Sequence, residues 1–325
     1  MKWFLIILLI LVIAVLLAAG YVVFAGVLDT QFKMPGSRKK KEEEEKPADD
    51  GIDGPNDLMR PTARKLYAFR KECLGDFEKL PLEDVWTSSF DSLKLHGRLL
   101  KGDPKEVVIC VHGYRSSVEE DFVDRAKIYA DRGSTVLFVD DRSHGKSEGR
   151  YIGFSELDRF DVKSWVDWIN EHYEDPRIYL HGVSMGGATV VHCADMHLKN
   201  LAGIIADCPF DSIRGITRAL MKESYKIPYF PVGYIAGFWS KLIAGIDFDR
   251  SQGEVCAAHS DVPMVFIHGK TDNFVPWEMS EKMYEACTKP KRILYVDKCG
   301  HGAAYMLAKE EYTDLVNELL DGKIQ

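Results

Sequence analysis

The chain has 325 residues, 46% hydrophobic and 28% charged, which is ordinary globular usage and enough for one large domain with a substantial core. Its net charge of -8, with no basic stripe interleaved with aromatics, argues against a nucleic-acid partner, which selects for an excess of Lys and Arg. Seven cysteines stand at irregular spacings, with neither the CxxC pairs of a structural zinc site nor the dense framework of a small secreted scaffold. Cys110, Cys193 and Cys208 sit in or beside apolar runs and read as buried small hydrophobes. The odd count leaves at least one thiol unpaired, a weak pointer to a reducing compartment.

From Trp3 to Phe24 the chain is apolar apart from Tyr21. About 22 residues rising about 1.5 Å each cover roughly 33 Å, enough to cross a bilayer's hydrocarbon core. Residues 1–28 therefore predict a transmembrane anchor. The rival is a cleaved signal peptide ending near Ala18-Ala19-Gly20, but the run is long for a signal core and continues past those small residues. Lys2 alone precedes the span, whereas Lys33, Arg38, Lys39, Lys40 and Lys41 follow it, which favours a cytoplasmic catalytic domain. A very short N-tail is typical of insertion in the other direction, and the unpaired thiols tip the balance to the cytoplasmic side. Residues 29–60 include SRKKKEEEEKPADDGIDGPND, whose charge blocks, Pro and Gly predict a solvated, flexible linker. A lipid-binding role for its four consecutive basic residues is weakened by the adjoining glutamates.

Residues 61–325 alternate apolar runs with amphipathic stretches, the rhythm of an α/β chain with a mostly parallel central sheet flanked by helices. An antiparallel hairpin is expected first, in DVWTSSFDSLKLHGRLL, on the sheet's edge. Buried strands follow at Val107–Val111, Thr135–Val139, Ile178–Leu180, Gly203–Ala206, Met264–Ile267 and Ile293–Val296. Between them the spacing predicts helices over Val118–Arg132, Gly153–His172 and Gly187–Lys199, with Trp165, Trp168 and Ile169 as a packing face. From Pro209 to Asp261 the rhythm breaks for too long to be one crossover helix. Its aromatics and the prolines Pro228 and Pro231 suggest a small helical cap insertion whose inner surface lines an acyl-sized pocket or simply packs on the domain.

Ser184 lies in HGVSMGG, directly after one of these strands and before a helix-forming run. A pattern of two glycines and a serine arises by chance in roughly one chain of this length in ten. Its setting is what matters: a tight strand-to-helix turn strains the serine, and Gly182 and Gly186 remove side chains that would collide there. A serine hydroxyl needs a base, a carboxylate to orient that base, and donors for the oxyanion. His301 in the glycine-flanked CGHG follows the last strand, and Asp272 in HGKTDNFVP follows the one before it. The chain order Ser, Asp, His is the one this kind of fold requires. Asp297 is a rival orienting acid, but it ends a strand ahead of a tight turn. For the oxyanion, the backbone N–H groups of Tyr114, in VHGYRSS, and Met185, at the start of the elbow helix, are the expected donors. His112, His144, His181 and His268 sit at strand ends without ligand spacing, so no metal and no other cofactor is expected.

With these motifs, from about Val85 to the C-terminus, the sequence resembles the α/β-hydrolase superfamily, and within it the bacterial membrane-anchored or secreted hydrolases related to serine aminopeptidases and acyl esterases. HGYRSS, DDRSHGKSEG, HGVSMGG and the pair HGKTDNFVP with CGHG carry the resemblance. It implies a catalytic triad of Ser184 as nucleophile, His301 as general base and acid, and Asp272 as its partner, with Tyr114 and Met185 as oxyanion donors. It also implies structural roles for Asp141, Arg142, Gly145 and Ser147. Cys299 departs from the small residue commoner at its position, and is either a packed thiol or a point of sensitivity to oxidation.

The expected function is a serine hydrolase cleaving carboxylic esters, with thioesters and small amides next, through a covalent acyl-enzyme. The partners expected are a small acyl-ester substrate and, through the N-terminal helix, a membrane. Passing the acyl group to an alcohol or amine, as an acyltransferase, or acting as a serine peptidase, uses the same acyl-enzyme. A catalytically inactive, membrane-tethered binding protein is the non-enzyme alternative, against which the complete set of triad residues stands.

Overall fold

A computed structural model describes residues 2–33, 60–223 and 225–324. Most of the expected linker, residues 34–59, therefore lies outside the described residues. The remainder contains an eight-stranded sheet in the order β1-β2-β4-β3-β5-β6-β7-β8. Strands β1 (Leu82–Ser88) and β2 (Lys94–Leu100) form the expected antiparallel hairpin at one edge. Strands β3 (Asp103–Val111), β4 (Ser134–Val139), β5 (Arg177–Val183), β6 (Leu201–Asp207), β7 (Met264–Gly269) and β8 (Lys291–Val296) are mutually parallel. Each of the six predicted apolar runs is one of these strands. In β3 to β7 the apolar runs are buried on both faces because helices cover both, which is why they are continuous and not alternating, whereas the edge strand β8 is only partly buried.

One helical layer packs Val162, Trp165, Val166 and Ile169 of the helix Asp158–His172 against the sheet, together with Val190 and Val191 from the helix that follows β5, Met185–His192. The opposite face is covered by Phe122, Val123, Ala126 and Tyr129 and by the C-terminal helix Lys309–Leu320. In chain order the helices are α1 (Lys2–Leu28), α2 (Arg60–Phe77), α3 (Val118–Asp121), α4 (Ala126–Arg132), α5 (Asp158–His172), α6 (Met185–His192), α7 (Ile213–Glu223), α8 (Val232–Trp239), α9 (Gly253–Ala258), α10 (Glu278–Ala286), α11 (Ala304–Leu307) and α12 (Lys309–Leu320).

Three helix expectations need correction. The run Val118–Arg132 is two helices, because the buried Arg125 guanidinium takes the Asp121 carbonyl (3.0 Å) and the Arg125 N–H turns instead to Phe122 O (3.1 Å). The helix expected from Gly153 begins at Asp158, since Phe154 and Ser155 have positive φ and the Asp158 carboxylate accepts the Ser155 N–H at 2.6 Å. The run expected to reach Lys199 stops at His192, ahead of a left-handed His197. Helix α2 had no counterpart in the sequence reading, although Leu66 and Phe77 are buried in the core.

The insertion between β6 and β7 is helical, as expected: α7, α8, a π-helical turn at Ser240–Ala244, and α9. Its aromatics divide. Tyr229 and Phe248 are buried, whereas Tyr225, Phe230, Tyr234 and Phe238 face outward. Helix α1 is a single 27-residue helix, long and apolar enough to cross a membrane. Its last turns are buried: Phe24, Ala25 and Leu28 pack with Met185, Phe210 and Ala236. Residues at the head of the expected linker also lie on the domain, where Asp29 is buried and paired with Arg150 at 2.8 Å.

Candidate active site

Strand β5 ends at Val183 and α6 starts at Met185, so Ser184 alone makes the turn. Its backbone sits at φ 57°, ψ -114°, a sparsely populated conformation that costs about 1–3 kcal/mol and has to be held by its surroundings. The Ser184 N–H donates to the Asp207 carbonyl at 2.8 Å, and its own carbonyl accepts the Ala188 N–H at 2.9 Å. A Cβ on Gly182 would lie 2.0 Å from the Gly186 carbonyl oxygen, and one on Gly186 would lie 2.0 Å from that of Val111. No side chain fits at either position.

The loops after β7 and β8 bring the other two groups to this turn. His301 Nε2 is 2.8 Å from Ser184 Oγ, and His301 Nδ1 is 2.7 Å from Asp272 Oδ2. With Nδ1–H donating to the carboxylate, Nε2 is left as an acceptor facing the serine hydroxyl. The Asp272 carboxylate is fixed in turn, its Oδ1 accepting the Phe274 and Val275 N–H groups at 2.9 Å each. Asp297, the rival acid, is exposed and makes no hydrogen bond to His301 among the described residues.

The loop after β3 passes directly against the serine, since a Cβ on Gly113 would stand 3.3 Å from Ser184 Cβ. The Gly113 N–H donates to Asp121 Oδ2 (2.7 Å), His112 Nδ1–H donates to the Gly113 carbonyl (2.8 Å), and the Asp141 N–H donates to His112 Nε2 (3.2 Å). Among the described residues the backbone N–H groups of Tyr114 and Met185 are engaged in no hydrogen bond. Both remain free to serve a substrate oxygen beside Ser184 Oγ.

Residues 102–232 match the serine aminopeptidase S33 family, and residues 239–302 match the serine hydrolase (FSH1) family. The solved structure of the Pyrococcus furiosus esterase Pf2001 superposes with a TM-score of 0.62 at 25% identity, covering 77% of this chain and 93% of that one. The chain belongs to the α/β-hydrolase superfamily. Among curated relatives, this hydrolase is 29% identical to YqkD of Bacillus subtilis over 220 residues, 67% of this chain and 72% of that one. It is 30% identical over 141 residues to the thiohydrolase AneE of Aspergillus aculeatus, 41% of this chain and 43% of the relative.

Charge in the hydrolase's site is set by competition between burial and pairing. Burial alone would raise the Asp272 carboxyl, but contact with His301 and a hydrogen bond from His268 hold it well below the usual carboxylate range. Burial alone would lower the His301 imidazole; the Asp272 carboxylate overcomes it and holds the ring well above its ordinary value. Cys208 also sits at His301, and burial pushes its thiol up, so it stays protonated. Cys208, Asp272 and His301 bring one potential ligand atom each within 4.8 Å of one another. Both nitrogens of His301 are already spoken for by Ser184 and Asp272, which makes this donor set suited to moving a proton and not to holding an ion.

The four strand-end histidines have hydrogen-bonding duties of their own. His268 Nε2 donates to Val275 O (3.0 Å), with Asp272 Oδ2 at 3.3 Å, and its Nδ1 accepts from Ser280 (2.6 Å). It thus orients the acid that orients His301. His144, lowered to about 4 by burial and by neighbouring His112, accepts the Arg115 N–H at 3.1 Å. His181 lies between the Tyr129 and Tyr312 hydroxyls at 2.6 and 2.9 Å. In the DDRSHGKSEG turn, Arg142 pairs with Asp161 (2.6 Å) and Asp91 (3.1 Å), and Ser147 Oγ donates to the Asp140 carbonyl (2.7 Å). Gly145 has φ +51°, and a Cβ there would lie 2.1 Å from Asp140 Oδ2. Cys299 is fully buried and its thiol is pushed up to about 12 by burial.

Two supports escaped the sequence reading. Arg125, wholly buried, donates to Asp124 (2.8 Å), Asp207 (2.9 Å) and the carbonyl of Gly302 (2.8 Å), the residue after His301. The end of α1 is held by the loop beside Ser184: Tyr114 Oη donates to Val27 O (2.7 Å) and Arg115 to Gly26 O (2.9 Å). These side chains satisfy carbonyls that a helix end leaves without partners. A crevice of about 330 Å³, lined by Phe69, Cys73, Phe77 and Tyr305, lies between α2 and α4 and includes none of the groups around Ser184.

Proposed function

We propose that this hydrolase is a membrane-anchored carboxylesterase acting through a covalent acyl-enzyme. The observation that carries the reading is the unbroken chain from Ser184 Oγ through His301 to Asp272, with bonds of 2.8 and 2.7 Å. His301 Nε2 takes the Ser184 proton as Oγ bonds to the ester carbonyl carbon. The Tyr114 and Met185 N–H groups hold the oxygen that becomes negative. The ester C–O bond then breaks and His301 returns the proton to the departing alcohol. Water, deprotonated by His301, attacks the acyl carbon and frees the acid and Ser184. Thioesters fit the same sequence with a thiol as leaving group, and the relative AneE is named a thiohydrolase.

Retention of α1 as the anchor is supported by its last turns, which are part of the domain's own packing. Phe24, Ala25 and Leu28 are at most 2% exposed. The packing also reaches upstream of Ala18-Ala19-Gly20, where Trp239 Nε1 donates to the Leu17 carbonyl at 3.0 Å, a contact that cleavage there would remove.

The test is turnover of short-chain p-nitrophenyl esters together with fluorophosphonate labelling of the full chain in detergent. Both are expected in the wild type, and Ser184→Ala should abolish labelling and lower turnover by about three orders of magnitude or more. Wild-type protein that does neither, or undiminished turnover by Ser184→Ala, refutes the assignment.

A further inference from the structure

The outer face of the cap is apolar. Phe230 is 72% exposed, Leu242 64%, Phe238 56% and Tyr234 49%, and Ile227, three residues before Phe230, is 44% exposed. Tyr234, Phe238 and Leu242 recur every fourth residue and make one stripe along α8 and the π-helical turn. Scattered exposed hydrophobics are ordinary on a soluble protein, but a contiguous row beside an apolar helix marks an interaction surface.

The other side of α8 grips α1. Trp239 Nε1 donates to the Leu17 carbonyl at 3.0 Å, and the rings of Tyr21 and Trp239 meet edge to face at 5.8 Å. A Cβ on Gly20 would fall 2.3 Å from Ile235 Cγ2, so the two helices approach as closely as they do only through this glycine. Residues 2–15 of α1 are exposed on every side. That free length rises about 21 Å, whereas a hydrocarbon core is about 30 Å thick. The missing part must come from residues 16–22, the stretch that α8 holds. A bilayer crossed by α1 therefore reaches the level of α8, and any tilt of α1 draws α8 deeper.

Composition agrees with that depth. Residues 224–246, from which the row comes, carry Lys226 and Lys241 and no acidic side chain, whereas the insertion from Pro209 to Asp261 as a whole is balanced at six basic and six acidic side chains. Basic residues with Tyr and Trp are the mixture that settles at an anionic headgroup layer. Between that face and the nucleophile the packing is apolar: Phe24, Leu28 and Ala236 join Phe210, Phe154 and Met185, the neighbour of Ser184, in one buried cluster.

We infer that the face made by Ile227, Phe230, Tyr234, Phe238 and Leu242 rests in the headgroup-to-acyl boundary of the bilayer that α1 crosses, and that Ser184 draws long-chain acyl esters from that bilayer. This rests on the reading of α1 as a retained anchor and of Ser184 as nucleophile. The bilayer supplies the acyl chain along the apolar cluster, and the alcohol leaves toward water.

The test uses the full chain in vesicles of equal parts phosphatidylcholine and phosphatidylglycerol, some of the lipid carrying a doxyl quencher. Bimane is attached at Leu242→Cys, Val15→Cys or Lys127→Cys in a Cys73→Ser background, the other native cysteines being buried. Lipid quenching at position 242 should approach that at 15 and exceed that at 127; quenching no greater than at 127 overturns the docking. In the same vesicles without quencher, Phe238→Asp combined with Leu242→Asp should slow hydrolysis of vesicle-borne dioleoylglycerol by about tenfold or more, because it places carboxylates at the apolar boundary. Hydrolysis of a soluble short-chain ester and fluorophosphonate labelling should stay within about twofold of wild type, and Phe238→Leu should behave as wild type throughout. A labelled double variant that hydrolyses both esters as wild type does, or loses both in parallel, overturns the inference. Wild-type protein that hydrolyses neither ester refutes the serine-hydrolase reading itself, an outcome the bimane experiment keeps separate.

Discussion

Replacing Arg125 by Met tests whether the histidine loop is held from beneath. The guanidinium is fully buried and donates to the carboxylates of Asp124 and Asp207 and to the carbonyls of Asp121 and Gly302, at 2.8 to 3.0 Å. Met fills similar space, so little of the effect comes from a cavity. What remains is two buried carboxylates without their cation, a situation that costs about 3–5 kcal/mol. Tyr312 Oη still donates to Asp207 at 3.1 Å, and Arg70 still lies 3.5 Å from Asp124, which places the loss toward the lower end of that range. For a domain of this size each kcal/mol moves Tm by roughly 2–4 °C, so a fall of roughly 6–12 °C is expected. The full chain in detergent, melted and titrated with urea, gives the stability, and a chromogenic ester gives kcat. Because Gly302 adjoins His301, kcat should fall while KM changes little, and Arg125→Lys should recover part of the stability but less of kcat. A loss below about 1 kcal/mol with unchanged kcat would refute the view that this arginine positions the base.

Two further outcomes follow from the charges around His301 and Cys299. The proposed mechanism requires His301 neutral, and Asp272 holds its pKa well above the ordinary value, so kcat/KM should rise with pH along a limb lying above about 6.5. Asp272→Asn removes the group that raises it and leaves burial, which lowers it, so the limb on the residual activity should move to lower pH; an unmoved limb counts against this coupling. The same pairing adds stability that is fully present below the unfolded histidine's pKa and is lost as pH rises through the folded one. Cys299, buried with a thiol near 12, should resist iodoacetamide in the native hydrolase at pH 8, and ester turnover should survive the treatment. Rapid native alkylation mapped to Cys299 by mass spectrometry would show that the loop opens.

What the sequence revealed and what it hid have physical reasons. Five of the six parallel strands, β3 to β7, carry runs buried on both faces, which makes them apolar runs that stand out from amphipathic neighbours. Ser184, Asp272 and His301 could be brought together because each follows a strand end and the order along the chain was constrained. Arg125 was invisible, since an arginine in a helical stretch reads as solvated charge until Asp124, Asp207 and the Gly302 carbonyl are seen around it. His268 was noticed only as one of four strand-end histidines, and its role as the prop behind Asp272 depends on a turn that brings Val275 back to it. Helix α1 shows the limit most clearly. With a mean hydropathy of 3.2 over its apolar window, it is hydrophobic all round. A helix of that kind has no periodicity to tell a lipid-facing side from a protein-facing one.

Because Tyr114 and Arg115 hold the last carbonyls of α1 while Trp239 holds it a little earlier, the proposed anchor meets the enzyme at separated points along its length. A domain hung from a leash sweeps through all orientations, and its encounters with lipid are governed by local concentration. A domain clamped at separated points behaves as a bracket, with one face turned to the membrane and the angle of approach set in advance. The charged segment 34–59 then joins two stretches that each pack on the same domain, Asp29 through Arg150 on one side and α2 through Leu66 and Phe77 on the other. Its length is thereby relieved of setting the enzyme's reach, and changes in it should be tolerated by catalysis in a way that changes at Gly20 or Tyr114 are not.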